Sequence, residues 1–346
     1  MTDHKKLQIA VLGAGSIGCY LGGCLAAAGQ DICFIGRNRI QNQLQKHGLH
    51  LSDWQGRKES LTPQQITFTT HIEAIANADY ILLTVKSGDT ASTTNLILAH
   101  AKPTAIIVSF QNGIQNVALL QQLLPQHKVV KAMVPFNVLN DEHGGFHCGT
   151  EGNLAIEANN NQYLDLIEAF KQANLPVIVH KDITGVQWGK LIMNLNNAVN
   201  ALSGVPLLEQ LNNREYRKIM TQVICEALRV MKHAGITPAK TGKVIPKLMP
   251  YILSLPNWLF KIVASATLKI DPKARSSMYE DFVLKRKTEI DFLNGEIVSL
   301  AKHHGLDAPV NRAIVSLVNV AYEKQAGSPN LTAKQIQLAI SKMVSV

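Results

Sequence analysis

The sequence predicts an α/β domain with a doubly wound parallel sheet, followed by an all-α C-terminal domain. In the first half, apolar runs typical of strands buried on both faces alternate with helical segments. In the second half, nearly every long segment shows the 3.6-residue spacing of an amphipathic helix. The chain has 346 residues, which suits two domains. We place the boundary at Asp182, which gives domains 1–182 and 183–346.

The chain opens with an apolar strand pattern that runs directly into the sequence GAGSIG at residues 13–18. A helix pattern of small residues follows to Ala28, and a second strand pattern covers Asp31–Ile35. A glycine loop between a buried strand and a helix, followed by a second strand at the expected spacing, is typical of a Rossmann-type dinucleotide site. A glycine-rich turn without a ligand is the alternative.

We expect each of the three glycines in this loop to have a different structural role. Gly13 lets the strand turn sharply, Gly15 lets the backbone approach a pyrophosphate, and Gly18 lets the helix pack against the sheet. Ser16 and Ile17 belong to the same loop, and the helix that follows offers free N–H groups and a positive dipole end to phosphate. We therefore predict that this loop binds a dinucleotide.

The end of the second strand indicates which dinucleotide. A protein that binds NAD commonly has Asp or Glu there, to accept hydrogen bonds from the ribose hydroxyl groups. This chain has Arg37, 19 residues after Gly18. A guanidinium pairs with a 2′-phosphate in forked geometry, so the sequence favours NADP over NAD. An ordinary surface arginine is the alternative.

Further apolar runs continue the predicted sheet, with helices between them. The strand patterns are Tyr80–Val85, Ala105–Ser109, Val129–Val134 and Val177–His180, and the helix patterns include Ser92–Ala101, Ile114–Leu124 and Tyr163–Ala173. Residues 144–159 are punctuated by glycine, and we expect them to form antiparallel strands that close the first domain.

The second half is predicted to be helical, with one unusual apolar segment. The helix patterns are Ile183–Ala201, Arg214–Ala234, Ser277–His304 and Val310–Lys324. The segment Val244–Ile270 is strongly apolar but contains three prolines and several lysines. A membrane span needs about 20 uninterrupted apolar residues, so we predict no span. A proline-broken helix pair that packs against its domain or a second subunit is favoured over a contact with lipid.

Composition excludes several classes of protein. The formal net charge is +9, and the charged residues are distributed unevenly between the two halves of the chain. Residues 1–182 carry 13 Lys+Arg and 14 Asp+Glu (net −1), and residues 183–346 carry 21 and 11 (net +10). No zinc, helix-turn-helix or RNA-binding signature accompanies the basic half, so we expect no nucleic-acid partner. A basic half could instead attract an anionic cofactor and substrate. Five cysteines without a CxxC pair and a polar start without a signal peptide favour a cytoplasmic protein.

Three polar sequences are candidates for chemistry. Asn112 lies in a Gln-Asn-Gly turn after a buried strand, where ligands bind in doubly wound sheets. Lys190 and Asn194 are four residues apart on one helix face, and a lysine among apolar residues gives up its proton more readily, which suits a general acid for a carbonyl oxygen. An ordinary surface lysine is the alternative. Ser277 has the spacing of a helix N-cap, and Glu289 could be an exposed helical acid. We find no metal-ligand spacing.

These sequences together resemble the ketopantoate reductase (2-dehydropantoate 2-reductase) family along nearly the whole chain. The matching stretches are GAGSIG, Arg37, the strand end at residues 84–86, QNG, WGKLIMN, RSSMYED, KTEIDFLNG and residues 303–311. The resemblance implies reduction of 2-dehydropantoate by NADPH between the two domains, in pantothenate and coenzyme A synthesis.

The resemblance also implies roles for single residues. Gly13, Gly15, Ser16, Ile17 and Gly18 would hold the pyrophosphate, Arg37 the 2′-phosphate, and Lys86 and Asn112 the ribose side of the coenzyme. Asn112, Asn194 and Ser277 would bind the 2-keto acid. Lys190 would donate the proton to the ketone oxygen, and Glu289 would orient that lysine.

The sequence departs from the family pattern in two places. The family often has a second substrate-binding asparagine four residues after Asn194, where this chain has Ala198. The apolar segment at residues 244–270 is also longer than in compact members. Both departures affect the expected substrate side, so a reductase of another branched 2-keto acid is an alternative. A non-catalytic NADP-binding sensor is an alternative of another class. Assembly as a homodimer is also open.

Overall fold

The computed structural model describes residues 6–158, 162–242, 244–265 and 274–345. The chain divides into two compact units, Met1–Ile183 and Thr184–Val346. The first unit contains strands and helices, and the second unit is helical. The predicted fold class is confirmed.

The first unit alternates strands with helices in the way the apolar runs predict. Its strands are β1 (Gln8–Leu12), β2 (Asp31–Ile35), β3 (Leu49–Asp53), β4 (Lys58–Leu61), β5 (Thr67–Thr69), β6 (Tyr80–Leu83), β7 (Ile106–Ser109), β8 (Lys128–Met133), β9 (Val138–Asn140), β10 (Gly145–Cys148), β11 (Leu154–Glu157) and β12 (Val177–His180). Its helices are α1 (Ser16–Ala27), α2 (Asn38–His47), α3 (Thr90–His100), α4 (Asn116–Leu123) and α5 (Leu164–Gln172).

The main sheet has the strand order β12-β11-β8-β7-β6-β1-β2-β5. The six strands from β8 to β5 are parallel to one another. The chain leaves β1 toward β2 on one side and returns to β6 on the other, so the strand order reverses at β1. Ligands of doubly wound sheets bind at the carboxyl ends of the strands at such a point.

The glycine-punctuated segment is only partly antiparallel, which corrects the expectation for residues 144–159. β11 joins the main sheet antiparallel to β8, as expected. β10 instead belongs to a second sheet of order β4-β3-β10-β9, where it is antiparallel to β9 but parallel to β3. Pairing with a strand almost a hundred residues away cannot be read from local spacing.

The core lies on both faces of the main sheet because side chains alternate along each strand. Ile9 and Val11 of β1 belong to one buried cluster, which also includes Leu21 and Leu25 of α1. Ala10 and Leu12 belong to a second buried cluster on the opposite face, with residues of α3 and α4. β1 is therefore buried on both sides, as its unbroken apolar sequence predicts.

The second unit consists of helices joined by short connections. They are α6 (Ile183–Asn194), α7 (Asn196–Ser203), α8 (Leu207–Asn212), α9 (Arg214–His233), α10 (Met249–Ser254), α11 (Asn257–Ser265), α12 (Ser277–Val283), α13 (Asn294–His303), α14 (Pro309–Glu323) and α15 (Ala333–Val344). No helix among the described residues combines the length and apolar character needed to cross a bilayer.

Two predicted helices are each divided in the structure. The pattern Ile183–Ala201 is interrupted at Leu195, between α6 and α7. The pattern Ser277–His304 stops after Val283, because Lys285 adopts a left-handed conformation (φ 52°) and the Arg286 N–H donates to the Asp281 carbonyl, as in a Schellman motif. A lysine rarely adopts this conformation, which is why the spacing alone suggested one continuous helix.

Candidate active site

The glycine loop at residues 13–18 is folded tightly against the ends of two neighbouring strands. The N–H groups of Gly13 and Ala14 both donate to the Ile35 carbonyl at the end of β2, at 3.0 Å. Gly13 has a φ of +104°, and a Cβ there would lie 2.5 Å from the Val85 nitrogen beyond β6. The loop therefore requires glycine at position 13 for both conformation and space.

The other two glycines of the loop differ from each other. A Cβ at Gly18 would lie 2.6 Å from both the Gly13 carbonyl oxygen and the Thr84 hydroxyl, so the start of α1 approaches this turn closely. Gly15 is exposed, and a Cβ there would meet nothing closer than the Gly13 oxygen at 3.9 Å. Packing within the described residues does not demand glycine at position 15, whereas close approach of a ligand to the backbone would.

The N-terminus of α1 has the properties of an anion site. Gly15 occupies the N-cap position without a capping side chain, and the first turn, which includes Ser16 and Ile17, has no acidic residue. The first N–H groups of a helix and its positive dipole end favour an anion. The loop therefore fits the pyrophosphate of a dinucleotide: the cradle is open at Gly15, and its donors have no acidic competitor.

Arg37 lies two residues beyond the end of β2, at the N-cap position of α2. Its side chain is 76% exposed, and its guanidinium lies 3.8 Å from the carboxylate of Asp89, which is also exposed. An exposed ion pair at this distance is weak. The guanidinium could therefore turn to a 2′-phosphate at little energetic cost.

A buried polar network joins the ends of β6 and β7. The Gln111 amide donates to the Val85 carbonyl (3.2 Å) and to the Thr90 hydroxyl (2.8 Å). The Ser87 hydroxyl and the Asn116 amide both donate to the Asn112 carbonyl. The network fixes the backbone on both sides of Asn112, and it joins the loop of Asn112 to the strand end that includes Lys86.

Lys190 lies near the end of α6, in a closely packed part of the second unit. At the preceding position, a Cβ on Gly189 would lie 2.2 Å from the Ala239 carbonyl oxygen and 2.7 Å from the Thr241 hydroxyl. The Ala239 N–H also donates to the Gly185 carbonyl at 2.8 Å. Gly189 therefore lets the segment 239–241 lie directly against the helix that bears Lys190.

The Lys190 ammonium and the Glu289 carboxylate interact. Burial lowers the pKa of Lys190 from its ordinary 10.5 to about 8, and the negative charge of Glu289 partly opposes this decrease. Glu289 lies on the short connection between α12 and α13, before the 3₁₀ turn Ile290–Phe292, and not on an exposed helix. The structure thus brings together two residues that are 99 positions apart in sequence.

Ser277 is positioned by its neighbour. The N-cap of α12 is Ser276, whose hydroxyl accepts from the Tyr279 N–H, and this corrects the interpretation of Ser277 as the cap. Ser276 also donates its hydroxyl to the Asn197 carbonyl and its N–H to the side chain of the fully buried Asn200. Ser277 is exposed in the first turn of a helix that is fixed to α7.

The remaining predicted residues lie on or beside α6 and α7. Asn194 is the last residue of α6 and is half-buried. Ala198 is completely buried, and Asn197, one position earlier, is half-buried. Sequence reasoning did not select Asn200 or Gly189 as important, because their roles depend on contacts with residues that are about 76 and 50 positions away.

We also searched the described residues for side chains that are placed to bind a metal ion. Within residues 6–158, 162–242, 244–265 and 274–345, no group of three His, Cys, Asp or Glu side chains is placed to hold a metal ion. The five cysteines are free thiols.

Comparison with known proteins gives a consistent result for both units. Residues 9–161 match the family model of ketopantoate reductase PanE/ApbA, and residues 182–323 match the model of its C-terminal part. A 2-dehydropantoate 2-reductase of Pyrococcus horikoshii is 28% identical over 331 residues, which cover 93% of this chain and 100% of that protein.

Solved structures show the same fold. A PanE/ApbA family ketopantoate reductase of Ralstonia eutropha has a TM-score of 0.78 and 27% identity, over 92% of this chain and 99% of that one. A D-mandelate dehydrogenase, solved with NADH and anilino(oxo)acetate, has a TM-score of 0.75 at 18% identity, over 92% of this chain and 99% of that one. Because the two family models together span most of the sequence, this chain belongs to the ketopantoate reductase family.

Proposed function

We propose that this protein reduces 2-dehydropantoate (ketopantoate) to pantoate with NADPH. The observation that carries the proposal is the pair formed by Lys190, whose pKa is lowered to about 8, and Glu289. An ammonium with this pKa is still mostly protonated at neutral pH but releases its proton more readily than an ordinary lysine. The similarity to 2-dehydropantoate 2-reductases supports the choice of substrate.

The first unit would hold the cofactor and supply Asn112, and the second would supply the proton donor and the other substrate-binding residues, with the division at residue 182. Gly13, Gly15, Ser16, Ile17 and Gly18 would bind the pyrophosphate, because the loop is open at Gly15 and the N-terminus of α1 has no acidic residue. Arg37 would bind the 2′-phosphate, and Lys86 and Asn112 the adjoining ribose groups. When bound, NADPH supplies the hydride.

The protein's own groups would orient the keto acid and complete the reduction. Asn112, Asn194 and Ser277 would hold the substrate through their amide and hydroxyl groups. As the carbonyl carbon is reduced, the C=O π electrons move to the oxygen, which takes the proton from Lys190 Nζ and leaves a neutral amine that solvent reprotonates. A nearby ammonium stabilises the developing oxyanion more than the neutral ketone, which lowers the barrier.

Glu289 would keep Lys190 protonated and in place. Its carboxylate raises the pKa of the lysine against the effect of burial, so the acid form persists at neutral pH. In the same position it could accept a hydrogen bond from the hydroxyl of the product.

A reductase of another branched 2-keto acid is the second candidate. Ala198 is completely buried where the family often has a substrate-binding asparagine, so at least one substrate contact differs. The hydride and proton chemistry would be unchanged, because it depends on Lys190 and Glu289 and not on position 198.

The proposal is tested by NADPH oxidation with a panel of 2-keto acids that includes ketopantoate, 2-ketoisovalerate and pyruvate. We expect the highest kcat/KM with ketopantoate. We expect Lys190→Ala to lower kcat by about a hundredfold to ten-thousandfold, because general acid catalysis contributes that much. The variant should still bind NADPH, which is measured by quenching of protein fluorescence.

Three results would contradict the proposal. Full activity of Lys190→Ala would exclude it as the proton donor. A higher kcat/KM with another branched keto acid would favour the second candidate. Tight NADPH binding without turnover of any keto acid would favour a sensor.

A further inference from the structure

The second unit exposes a cluster of large apolar side chains on and just before α10 and α11. We call this cluster the α10–α11 patch. Its members are Ile245 (45% exposed), Leu248 (47%), Tyr251 (74%), Trp258 (66%) and Ile262 (62%). Single exposed apolar residues are ordinary, but several of them, two of which are aromatic, on two helices that contact each other are typical of an interaction surface.

The patch is not a loosely packed end of the chain, because its inner side is firmly held. The completely buried guanidinium of Arg217 on α9 donates to the carbonyls of Leu253 and Leu255 and to the Asn257 side chain. It also lies 4.2 Å from the ring centroid of Phe260. This anchor uses the inner faces of α10 and α11, so the outer faces present Tyr251 and Trp258 in fixed positions.

The charge of the surrounding sequence indicates which partner the patch fits. Residues 227–270 contain no Asp or Glu, and they contain seven basic residues: Arg229, Lys232, Lys240, Lys243, Lys247, Lys261 and Lys269. Lys247 and Lys261 lie within the patch sequence and are exposed. A sequence segment that has basic but no acidic residues, and that exposes Lys247 and Lys261 beside the apolar side chains, complements an anionic partner.

The combination of exposed apolar and basic side chains favours a lipid surface over a second copy of the chain as the partner of the patch. A contact between two such patches would bring together two segments that carry basic residues and, over residues 227–270, no acidic residue to pair with them, which is unfavourable. An anionic bilayer offers both required partners, because its phosphate headgroups attract lysines and its interface accommodates Trp and Tyr side chains.

We propose that the α10–α11 patch binds the surface of membranes that contain anionic phospholipids. Tyr251, Trp258 and the neighbouring aliphatic side chains enter the headgroup region, while Lys247 and Lys261 contact lipid phosphates. The inference is independent of the proposed function, since no residue of the patch belongs to the candidate active site.

The proposal is tested by co-sedimentation of the full chain with two kinds of vesicle. One kind is phosphatidylcholine alone, and the other is an equal mixture of phosphatidylcholine and phosphatidylglycerol. We expect binding to the mixed vesicles and little to the neutral ones, with the bound fraction decreasing as salt increases. On binding, the fluorescence of Trp258 should shift to shorter wavelength, and Trp258→Phe should remove the shift.

Matched variants identify the surface that binds. Each lysine lost from the patch should lower the partition coefficient about fivefold, so the double variant Lys247→Gln/Lys261→Gln should bind about 25-fold more weakly. The control is Lys46→Gln/Lys58→Gln, which removes the same charge from exposed positions of the first unit. Trp258→Ser should also weaken binding, whereas Trp54→Ser, at a 50% exposed tryptophan of the first unit, should not.

Circular dichroism and thermal unfolding establish that each variant is folded. Equal binding to neutral and anionic vesicles, or equal effects of the patch and control variants, would overturn the proposal. Absence of vesicle binding would overturn it as well. In that case, a sedimentation coefficient that falls on Trp258→Ser would assign the patch to self-association instead.

Discussion

At the scale of single residues, the state of Lys190 should set the pH dependence of the reaction. A proton donor with a pKa of about 8 loses its proton above that pH, so kcat/KM should be flat at neutral pH and fall tenfold for each further pH unit. Glu289→Gln removes the charge that raises this pKa, so the falling limb should move to lower pH. The measurement is a pH profile of kcat/KM for both proteins.

The control for the pH experiment is the binding of NADPH, measured over the same range. Its affinity should not follow the pKa of Lys190, because the proposed cofactor residues belong to the first unit. A limb that stays in place in Glu289→Gln would show that Glu289 does not control the lysine. If Glu289→Gln lowered the activity by the same factor at every pH, this would also show that Glu289 does not control the pKa of Lys190.

Arg37 should determine the preference between the two nicotinamide dinucleotides. In Arg37→Asp a carboxylate faces the 2′-phosphate, and a charge-assisted hydrogen bond worth about 1.5–3 kcal/mol is lost. The ratio of kcat/KM for NADPH to that for NADH should therefore fall at least about tenfold. Arg39→Asp is the matched control, since Arg39 is also exposed and only two residues away.

An unchanged ratio in Arg37→Asp would exclude Arg37 from the 2′-phosphate site. An equal fall in both variants would point to general electrostatics. The D-mandelate dehydrogenase of similar fold was solved with NADH, so the fold alone does not decide between the cofactors. The proposal of NADP depends instead on Arg37, two residues beyond the end of β2.

At the scale of elements, local sequence predicted the parts whose causes are local. The strand β1, the glycine loop and α1 follow from an apolar run, a turn that needs glycine and a small-residue helix, all within 20 residues. The strand β12 (Val177–His180) was predicted with its observed bounds. The division after Val283 was missed, because it depends on a lysine in a left-handed conformation, which spacing does not reveal.

In the candidate site, too, the features that depend on contacts between distant residues could not be predicted from local sequence. The residue pattern made Lys190 a candidate proton donor, with an ordinary surface lysine as the alternative, whereas Glu289 was given a role only by the resemblance to a family. Their interaction depends on the end of α12 and the 3₁₀ turn at Ile290, which together set the path of the connection. The roles of Asn200 and Arg217 depend on contacts across helices and had no sequence signal.

Gly189 allows a prediction at the scale of elements, because it packs against the segment 239–241 and directly precedes Lys190. In Gly189→Ala the new methyl group would meet the Ala239 carbonyl, a backbone atom that cannot move without displacing the segment 239–241. Overpacking of this kind costs about 1–3 kcal/mol, so the free energy of unfolding should decrease by that amount. It is measured by urea denaturation, and kcat should fall as Lys190 shifts.

The matched control is Gly295→Ala in α13. There the nearest atom to the new methyl group would be the Ile290 oxygen at 3.4 Å, an ordinary contact distance. Alanine is also favoured over glycine inside a helix, so the control should be neutral or slightly stabilising. Equal stability of Gly189→Ala and the wild type would contradict the close approach described here.

At the scale of the whole molecule, the uneven charge of the chain is a property that composition revealed before any fold was known. Residues 183–346 carry a net charge of +10, and residues 1–182 carry −1. Composition could not show where that charge lies. In the structure, two of these basic residues, Lys247 and Lys261, are exposed within the sequence of the α10–α11 patch.

The net charge predicts how the reaction responds to salt. NADPH and a 2-keto acid are both anions, so a protein of charge +9 should attract them at low ionic strength. We expect kcat/KM for NADPH to fall about threefold or more when the ionic strength rises from about 0.01 M to about 0.15 M, as the screening length shortens. Because kcat at saturation contains no encounter step, it should change much less.

NADH is the internal control for this measurement, since it lacks only the 2′-phosphate. Its kcat/KM should decrease less with salt than that of NADPH, and in Arg37→Gln the two salt dependences should approach each other. Identical salt dependences in the wild type would mean that the 2′-phosphate is not recognised by charge. An increase of kcat/KM with salt would contradict the attraction itself, because screening can weaken a favourable field but cannot strengthen one.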